Sequence, residues 1–144
     1  MMRQKVHLLI SQEGYKTYQD RIAYALSSAG LDPCQVVPVH LEENPDRAGH
    51  YPIEVAFLTR DVTGKSTKGM VLPTLQRYYD MLRNSPGLQW IQGHSAGIDR
   101  PIFKELLARN VRVTTGSGAN TSSVVQTALA GILALSRHFP EMAI

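Results

Sequence analysis

Short apolar runs alternate along this chain with longer segments in which apolar residues recur every three or four positions. Runs of this length, bounded by glycine, proline or polar residues, predict buried β-strands. Valine, isoleucine and leucine dominate them, as is typical of strands covered on both faces. The five predicted strands cover residues 6–10, 35–39, 55–58, 88–92 and 111–114.

The longer segments have the periodicity of helices with one apolar face. They cover residues 15–29, 73–83, a stretch that begins near Pro101, and 121–138. Gly30 follows the first of these helices, and Pro73 and Pro101 stand where a first helical turn accepts proline. The candidate N-caps are Ser11 or Thr17 for the first helix, Asp99 for the third, and Asn120 or Thr121 for the last.

The regular alternation of strands and helices predicts an α/β domain with a parallel sheet and helices on both faces. Five strands with four or five helices fit a flavodoxin-like, doubly wound arrangement. In such sheets, ligands bind beyond the carboxyl ends of the strands. The loops at that edge are predicted to be 11–17, 59–69, 93–99 and 115–121.

The last predicted helix differs from the others because it is apolar or small on nearly every side from Val124 to Leu135. A helix of this kind has to be covered on more than one side. We expect a flavodoxin-like lobe over 1–120 and an interdomain or dimerisation helix over 121–144. The expected cover is a second domain or a homodimer in which helix 121–138 packs against its counterpart. The alternative is a central helix within this same domain.

Composition narrows the class of protein. The chain has 144 residues, which fits one domain, and Lys plus Arg exceeds Asp plus Glu by only three. That mild excess, without a basic run, does not indicate nucleic-acid binding. No apolar stretch is long enough for a membrane span, and the N-terminal run is too short for a signal peptide. With Cys34 as the single cysteine, the expected location is the cytoplasm.

Several segments match only part of a known ligand-binding motif and are therefore weak indications of function. Gly64-Lys65-Ser66-Thr67 resembles the end of a phosphate-binding loop, but the glycine required five positions earlier is Thr59. Gly116-Ser117-Gly118 lacks the third glycine of a dinucleotide fingerprint, because that position is Thr121. The histidines lack the spacing of zinc ligands, so we expect no metal site. Segment 11–17 could hold a phosphate at a helix N-terminus, but an ordinary capped turn is the favoured interpretation.

The segment after the fourth strand is the best candidate for chemistry. His94, Ser95, Ala96 and Gly97 form a turn of mostly small residues just ahead of a predicted helix. Small side chains leave the backbone N–H groups open, and this arrangement suits a carboxylate or a phosphate. A second strand, glycine turn and helix follow about twenty residues later.

Taken together, these two segments resemble the D-isomer-specific 2-hydroxyacid dehydrogenases. The resemblance covers roughly residues 53–140 and is closest over 88–138. The matching elements are Ser95-Ala96-Gly97-Ile98-Asp99, Gly118-Ala119-Asn120, and the long helix from Val124 to Leu135. It implies the substrate-binding lobe of a two-lobed enzyme that uses NAD or NADP to interconvert 2-hydroxy acids and 2-oxo acids.

Residue by residue, the resemblance implies that the backbone of His94, Ser95, Ala96 and Gly97 holds the substrate carboxylate. Asn120 would shape the cleft and Val124 would face the nicotinamide. Arg60, at the end of the third strand, is a further candidate for binding the acid. His94 is also a candidate proton donor, but no orienting partner for it is evident in the sequence.

The sequence departs from the family in one respect that bears on activity. The family's glycine-rich cofactor lobe, its catalytic arginine and its Glu–His pair would all follow Ile144, so we expect a fragment without catalytic residues that is inactive alone. Two alternatives stay open. The chain could be a separate flavodoxin-like module that binds a phosphate-bearing ligand through 11–17, or a non-catalytic interaction domain that docks through helix 121–138.

Overall fold

Five parallel strands form a single sheet in a computed structural model that describes residues 5–67 and 69–139. The strands stand in the order β2-β1-β3-β4-β5, and all four neighbouring pairs are parallel. This confirms the predicted α/β class and the all-parallel sheet. The strands are β1 Val6–Leu9, β2 Val36–Val39, β3 Val55–Leu58, β4 Trp90–Gly93 and β5 Arg112–Thr114.

Five α-helices connect and follow the strands in the described residues, and one of them was not predicted. Helix α2 is a single turn directly after β3, and four residues are too few to show a helical period in the sequence. The predicted bounds of α3 are confirmed. The helices are α1 Gln12–Ser28, α2 Arg60–Thr63, α3 Pro73–Arg83, α4 Pro101–Ala108 and α5 Thr121–Ser136.

Helix α1 begins three residues earlier than the periodicity predicts. Ser11 is its N-cap, and the Ser11 hydroxyl accepts a hydrogen bond of 2.9 Å from the backbone N–H of Gly14. Ser11 is therefore the cap and Thr17 is not. The predicted loop 11–17 is wrong, because all but its first residue belong to α1. The Ser11 side chain is buried and already bonded within this cap.

The predicted N-cap of α4 is also corrected. Arg100, and not Asp99, is the N-cap residue, and no cap hydrogen bond from its side chain is present. Pro101 is the first residue of the helix and disfavours helical geometry in the residue before it. Arg100 accordingly has extended backbone angles, with φ −72° and ψ 139°.

The main hydrophobic core lies on one face of the sheet, beneath α3 and α4. Strands β1, β3 and β4 point alternate residues into it, because successive side chains of a strand face opposite ways. Tyr78 of α3 and Phe103 of α4 are its largest fully buried side chains. No residue of α1 or α5 belongs to this core among the described residues.

The opposite face of the sheet is only partly covered. Helix α1 crosses it, and its Tyr18 ring contacts the Phe57 ring of β3 at a centroid distance of 5.9 Å. Beside α1 a cavity of about 490 Å³ stays open, which we call the apolar groove. Its lining includes Leu8, Leu26, Phe57 and Trp90, and Gln92 is the polar residue in it.

Helix α5 stands apart from the core. None of its sixteen residues is buried by the described part of the chain, and Val124, Leu133 and Leu135 are each more than 60% exposed. The alternative of a central helix within this domain is therefore wrong for the fold described here. Residues 1–4 and 140–144, which form the ends of the two predicted ranges 1–120 and 121–144, lie outside the described residues. Among the residues described, no helix is both long enough and apolar enough to cross a membrane.

Candidate functional site

Two turns meet at the carboxyl edge of the sheet. One follows β4 and contains His94 and Ser95, and the other follows β5 and begins at Gly116. The backbone N–H of Gly116 donates a hydrogen bond of 2.9 Å to the carbonyl of Ser95. A Cβ atom on Gly116 would lie 2.5 Å from the carbonyl oxygen of His94, so the close contact between the turns requires glycine at this position.

The two turns and the start of α5 enclose an open cleft of about 480 Å³. Five of the residues that the sequence singles out line it together, although they are as many as 30 positions apart along the chain. They are His94, Ser95, Ala96, Asn120 and Val124. Gly97 and Arg60 do not line the cleft, but the positive charge of Arg60 acts on His94.

The turn after β4 presents backbone donors that are not used elsewhere. The N–H groups of Ser95, Ala96 and Gly97 donate no hydrogen bond to the residues described in this structure. The turn is also exposed, so water can reach these groups in the free protein. Three successive donors of this kind can bind the oxygens of a carboxylate, because the bonds to a charged acceptor are stronger than neutral ones.

His94 has an orienting partner that the sequence did not reveal. Its Nε2 lies 2.8 Å from the hydroxyl oxygen of Thr63, and either atom can be the donor in this hydrogen bond. Thr63 is brought to His94 by α2, the short helix that the periodicity missed. The Thr63 hydroxyl oxygen also lies 3.3 Å from the carbonyl oxygen of Thr59, one turn earlier, and it donates to that carbonyl when His94 Nε2 is the donor to Thr63.

The electrostatic surroundings favour a neutral His94. Burial lowers the pKa of the imidazole, and the positive charges of Arg60 and Arg100 lower it further, against an opposing effect of Asp61. Loss of solvent and nearby cations both disfavour the charged ring. At neutral pH the positive charges beside the cleft therefore come from the two arginines and not from His94.

A second polar cluster lies next to the cleft, between β1 and β3. The hydroxyls of Ser11 and Thr59 are 3.2 Å apart, and both side chains are buried. Burial raises the pKa of Asp61, but hydrogen bonds from these two hydroxyls and from the backbone N–H groups of Asp61 and Val62 together outweigh that effect, so the pKa is lower than usual. Asp61 is accordingly a carboxylate, and it balances part of the positive charge of the two arginines.

The Gly64-Lys65-Ser66-Thr67 segment is held as a structural loop. The Arg100 guanidinium donates to the carbonyl oxygens of Ser66 and Thr67, at 3.1 and 3.2 Å. The Ser66 hydroxyl accepts from the backbone N–H of Leu72. These contacts tie the loop to the starts of α3 and α4.

The fit of a nicotinamide cofactor to these residues is limited to one end of the cleft. Asn120 and Val124 are exposed and line the cleft opposite the turn of His94, so a flat ring has room against them. Asn120 occupies the N-cap position of α5 without a cap hydrogen bond from its side chain. The glycine turn before it packs against the turn of His94 through Gly116, whose N–H donates to the carbonyl of Ser95.

Comparisons with protein-family models, with curated proteins and with solved structures found no match to this chain. The resemblance to the dehydrogenases therefore stays a prediction from the motifs. In the part of the chain that is described, no three His, Cys, Asp or Glu side chains are grouped to hold a metal ion.

Proposed function

We propose that this chain is the substrate-binding lobe of an NAD(P)-dependent oxidoreductase that interconverts 2-hydroxy acids and 2-oxo acids. The observation that carries the proposal is the set of N–H groups on Ser95, Ala96 and Gly97, which have no hydrogen-bond acceptor among the described residues and lie in the turn of His94, where the positive charges of Arg60 and Arg100 act. The strand order 2-1-3-4-5 supports a flavodoxin-like lobe, and the site lies at the sheet edge where such domains bind ligands.

In this proposal the substrate carboxylate accepts hydrogen bonds from the backbone of the turn after β4. Arg60 and Arg100 attract the anion by their charge, at a distance, while the backbone donors set its orientation. The 2-oxo group then points across the cleft toward Asn120 and Val124. The cofactor would supply the hydride chemistry, and a second lobe would hold most of it.

His94 has a positioning role in this arrangement. Because Thr63 fixes the ring, and burial and the nearby cations lower its pKa, His94 can form a hydrogen bond with the bound acid without adding a charge. The family's catalytic arginine and Glu–His pair have no counterpart among the residues assigned here. We therefore expect these 144 residues to bind a 2-oxo acid without oxidising or reducing it.

The test is a titration of the purified chain with pyruvate, followed by amide chemical shifts in NMR. We expect saturable shifts at Ser95, Ala96 and Gly97, with a dissociation constant of about 1 mM, the weak binding expected of one lobe. Pyruvamide, which lacks the carboxylate, is the matched ligand control and should leave these amides unmoved. Inorganic phosphate tests the alternative site at the start of α1, near Ser11.

A pair of glycine variants tests the geometry of the site. Gly116→Ala introduces a Cβ against the His94 carbonyl, so it should displace the turn and weaken pyruvate binding by tenfold or more, about 1.4 kcal/mol. Gly87→Ala is the matched control, because Gly87 lies outside the cleft and its Cβ would make only an ordinary contact of 3.8 Å, with the carbonyl oxygen of Ile53. Equal binding of pyruvate and pyruvamide, shifts confined to Ser11 and its neighbours, or unchanged binding by Gly116→Ala would contradict the proposal.

A further inference from the structure

The hydroxyl of Thr63 lies between two possible hydrogen-bond partners, and it has one proton to donate. Its oxygen is 2.8 Å from His94 Nε2 and 3.3 Å from the carbonyl oxygen of Thr59. Thr63 is 8% exposed, so water has little access to this hydroxyl. The two contacts together decide which ring nitrogen of His94 bears the proton, because the tautomer of a histidine is set by the hydrogen bonds that its nitrogens make.

Only one of the two tautomers turns both contacts into hydrogen bonds. With the proton on Nε2, the His94 ring donates to the Thr63 oxygen, and the Thr63 hydroxyl donates to the Thr59 carbonyl. With the proton on Nδ1, Thr63 has to donate to Nε2, and the oxygens of Thr63 and Thr59 then lie 3.3 Å apart with no proton between them. Buried polar groups are stable when they are hydrogen-bonded, so the structure favours a ring protonated at Nε2.

The other ring nitrogen of His94 is then a hydrogen-bond acceptor. His94 lines the cleft, and its Nδ1 has no hydrogen-bond partner in the part of the chain that is described. Partial burial and the positive charges of Arg60 and Arg100 lower the pKa of the ring, against the opposing charge of Asp61, so the ring is mostly neutral at about pH 7. Nδ1 accordingly keeps its lone pair and is the nitrogen left for a ligand.

The lone pair on Nδ1 bears on what the ligand carries beside its carboxylate. In the proposed function the N–H groups of Ser95, Ala96 and Gly97 hold the carboxylate, and His94 directly precedes them in the chain. A 2-hydroxy acid has an O–H group on the next carbon, and because that carbon is tetrahedral, the hydroxyl can turn from the direction of a 2-oxo group toward the ring. A 2-oxo acid has no proton on this oxygen and would bring a second acceptor against Nδ1.

We infer that Thr63 is a positioning residue that holds His94 in the Nε2–H tautomer, and that His94 Nδ1 accepts a hydrogen bond from the hydroxyl of a bound 2-hydroxy acid. The cleft therefore prefers a 2-hydroxy acid to the 2-oxo acid with the same carbon skeleton. A site that forms a hydrogen bond with a ligand hydroxyl selects against an analogue without it. The inference rests on the proposed function for the position of the carboxylate, and it adds the class of ligand.

The first test needs no variant. NMR of the chain labelled with ¹⁵N at histidine gives the tautomer of His94 at about pH 8, where the ring is neutral. We expect a protonated Nε2 and an unprotonated Nδ1. Titrations with lactate and with pyruvate, followed at the amides of residues 95–97, give the two affinities. Lactate should bind about fivefold more tightly than pyruvate, which is the effect of one more hydrogen bond between neutral groups.

Variants of Thr63 connect the two readouts. Thr63→Val keeps the shape of the side chain without its hydroxyl, so the ring should become a mixture of tautomers and the preference for lactate should be largely lost. Thr63→Ser has a hydroxyl again and should restore both. The matched control is Thr17→Val, which removes an exposed hydroxyl that donates to the carbonyl of Glu13, four residues earlier and outside the cleft. It should change neither readout.

Three results would each overturn the inference: a proton on Nδ1 in the wild type, equal affinities for the two acids, or an unchanged preference in Thr63→Val. Amide shifts with both acids at equal affinity would leave the proposed function intact and remove only the inference. No shift with either acid would overturn the proposed function and the inference with it. If Thr63→Val does not fold, the tautomer and the ratio of affinities in the wild type decide the inference by themselves.

Discussion

At the scale of single residues, the role of a position in the site depends on residues that are distant in the sequence and close in the fold. Gly116 is one of several glycines in the sequence, and its need for glycine comes only from the His94 carbonyl against it. The orientation of His94 also depends on a distant residue, since its hydrogen-bond partner Thr63 is 31 positions away in the chain. The motif around residues 94–97 could be read from the sequence, but these contacts could not.

The lowered pKa of His94 predicts how its protonation affects folding. Above the ordinary pKa of a histidine, the ring is neutral in both the folded and the unfolded chain, so it has no effect on the pH dependence. As the pH falls through that value, the unfolded chain takes up the proton more readily, and the folded state loses stability. The stability of the wild type should therefore decrease between pH 7 and pH 5 in part because of His94.

The variant His94→Gln removes this titration while keeping a polar side chain near Thr63. Thermal unfolding of both proteins from pH 7 to pH 5 should give a shallower decrease for the variant. A difference between the two proteins at pH 7, where the ring is neutral in both states, would reflect the changed hydrogen bond and not the titration. If the curves stay parallel through that range, the imidazole has the same pKa in both states and the electrostatic description of the site is wrong.

At the scale of elements, the sequence predicted whether a segment is a helix or a strand better than it predicted the residues at which that element begins and ends. Proline fixed the start of α3 and α4, because its ring geometry fits only the first turn. The start of α1 was missed by three residues, since Gln12, Glu13 and Gly14 carry no apolar signal. It is set instead by the Ser11 cap and by the close packing of Gly14 against Thr59.

The hydrogen bonds between Arg109 and the end of α3 join α4 to α3, and a substitution of Arg109 tests how much they stabilise the fold. The Arg109 guanidinium, just after α4, donates to the carbonyl oxygens of Leu82 and Ser85 at 3.1 and 2.7 Å. These carbonyls lie at and just beyond the negative end of the α3 dipole. Arg109→Ala should lower the free energy of unfolding by about 1 kcal/mol in urea denaturation.

The control for that variant is Lys104→Ala, which removes an exposed cation from α4. It should change the free energy of unfolding by less than about 0.5 kcal/mol, as surface substitutions usually do. Similar losses in the two variants would show that Arg109 acts as a general surface charge and not as a cap for α3.

At the scale of the whole molecule, the two faces of the sheet are unequal. The face under α3 and α4 holds the main core, and the face with α1 holds the apolar groove. Removal of a phenylalanine ring should therefore cost different amounts on the two sides. Phe103 is 1% exposed in the core, while Phe57 is partly exposed at the groove.

Phe103→Ala should lower the free energy of unfolding by about 3–5 kcal/mol, because it opens a cavity in a closely packed core. Phe57→Ala should cost less than half as much in dilute protein, where water already reaches one side of the ring. Urea denaturation of both variants gives the comparison, with Phe103→Leu in place of alanine if that variant does not fold. Equal losses would mean that the groove face is packed as tightly as the core.

The sequence by itself determined the class of fold, since alternating strand and helix periods leave few arrangements other than a parallel sheet. It also marked the turn at residues 94–97 and the unusual apolar character of α5, because both are local patterns. Only the tertiary structure decided which residues meet, how the two turns form one cleft, and that α5 leaves its own sheet uncovered. These depend on contacts between distant segments, and a local pattern holds no information about the position of a distant segment.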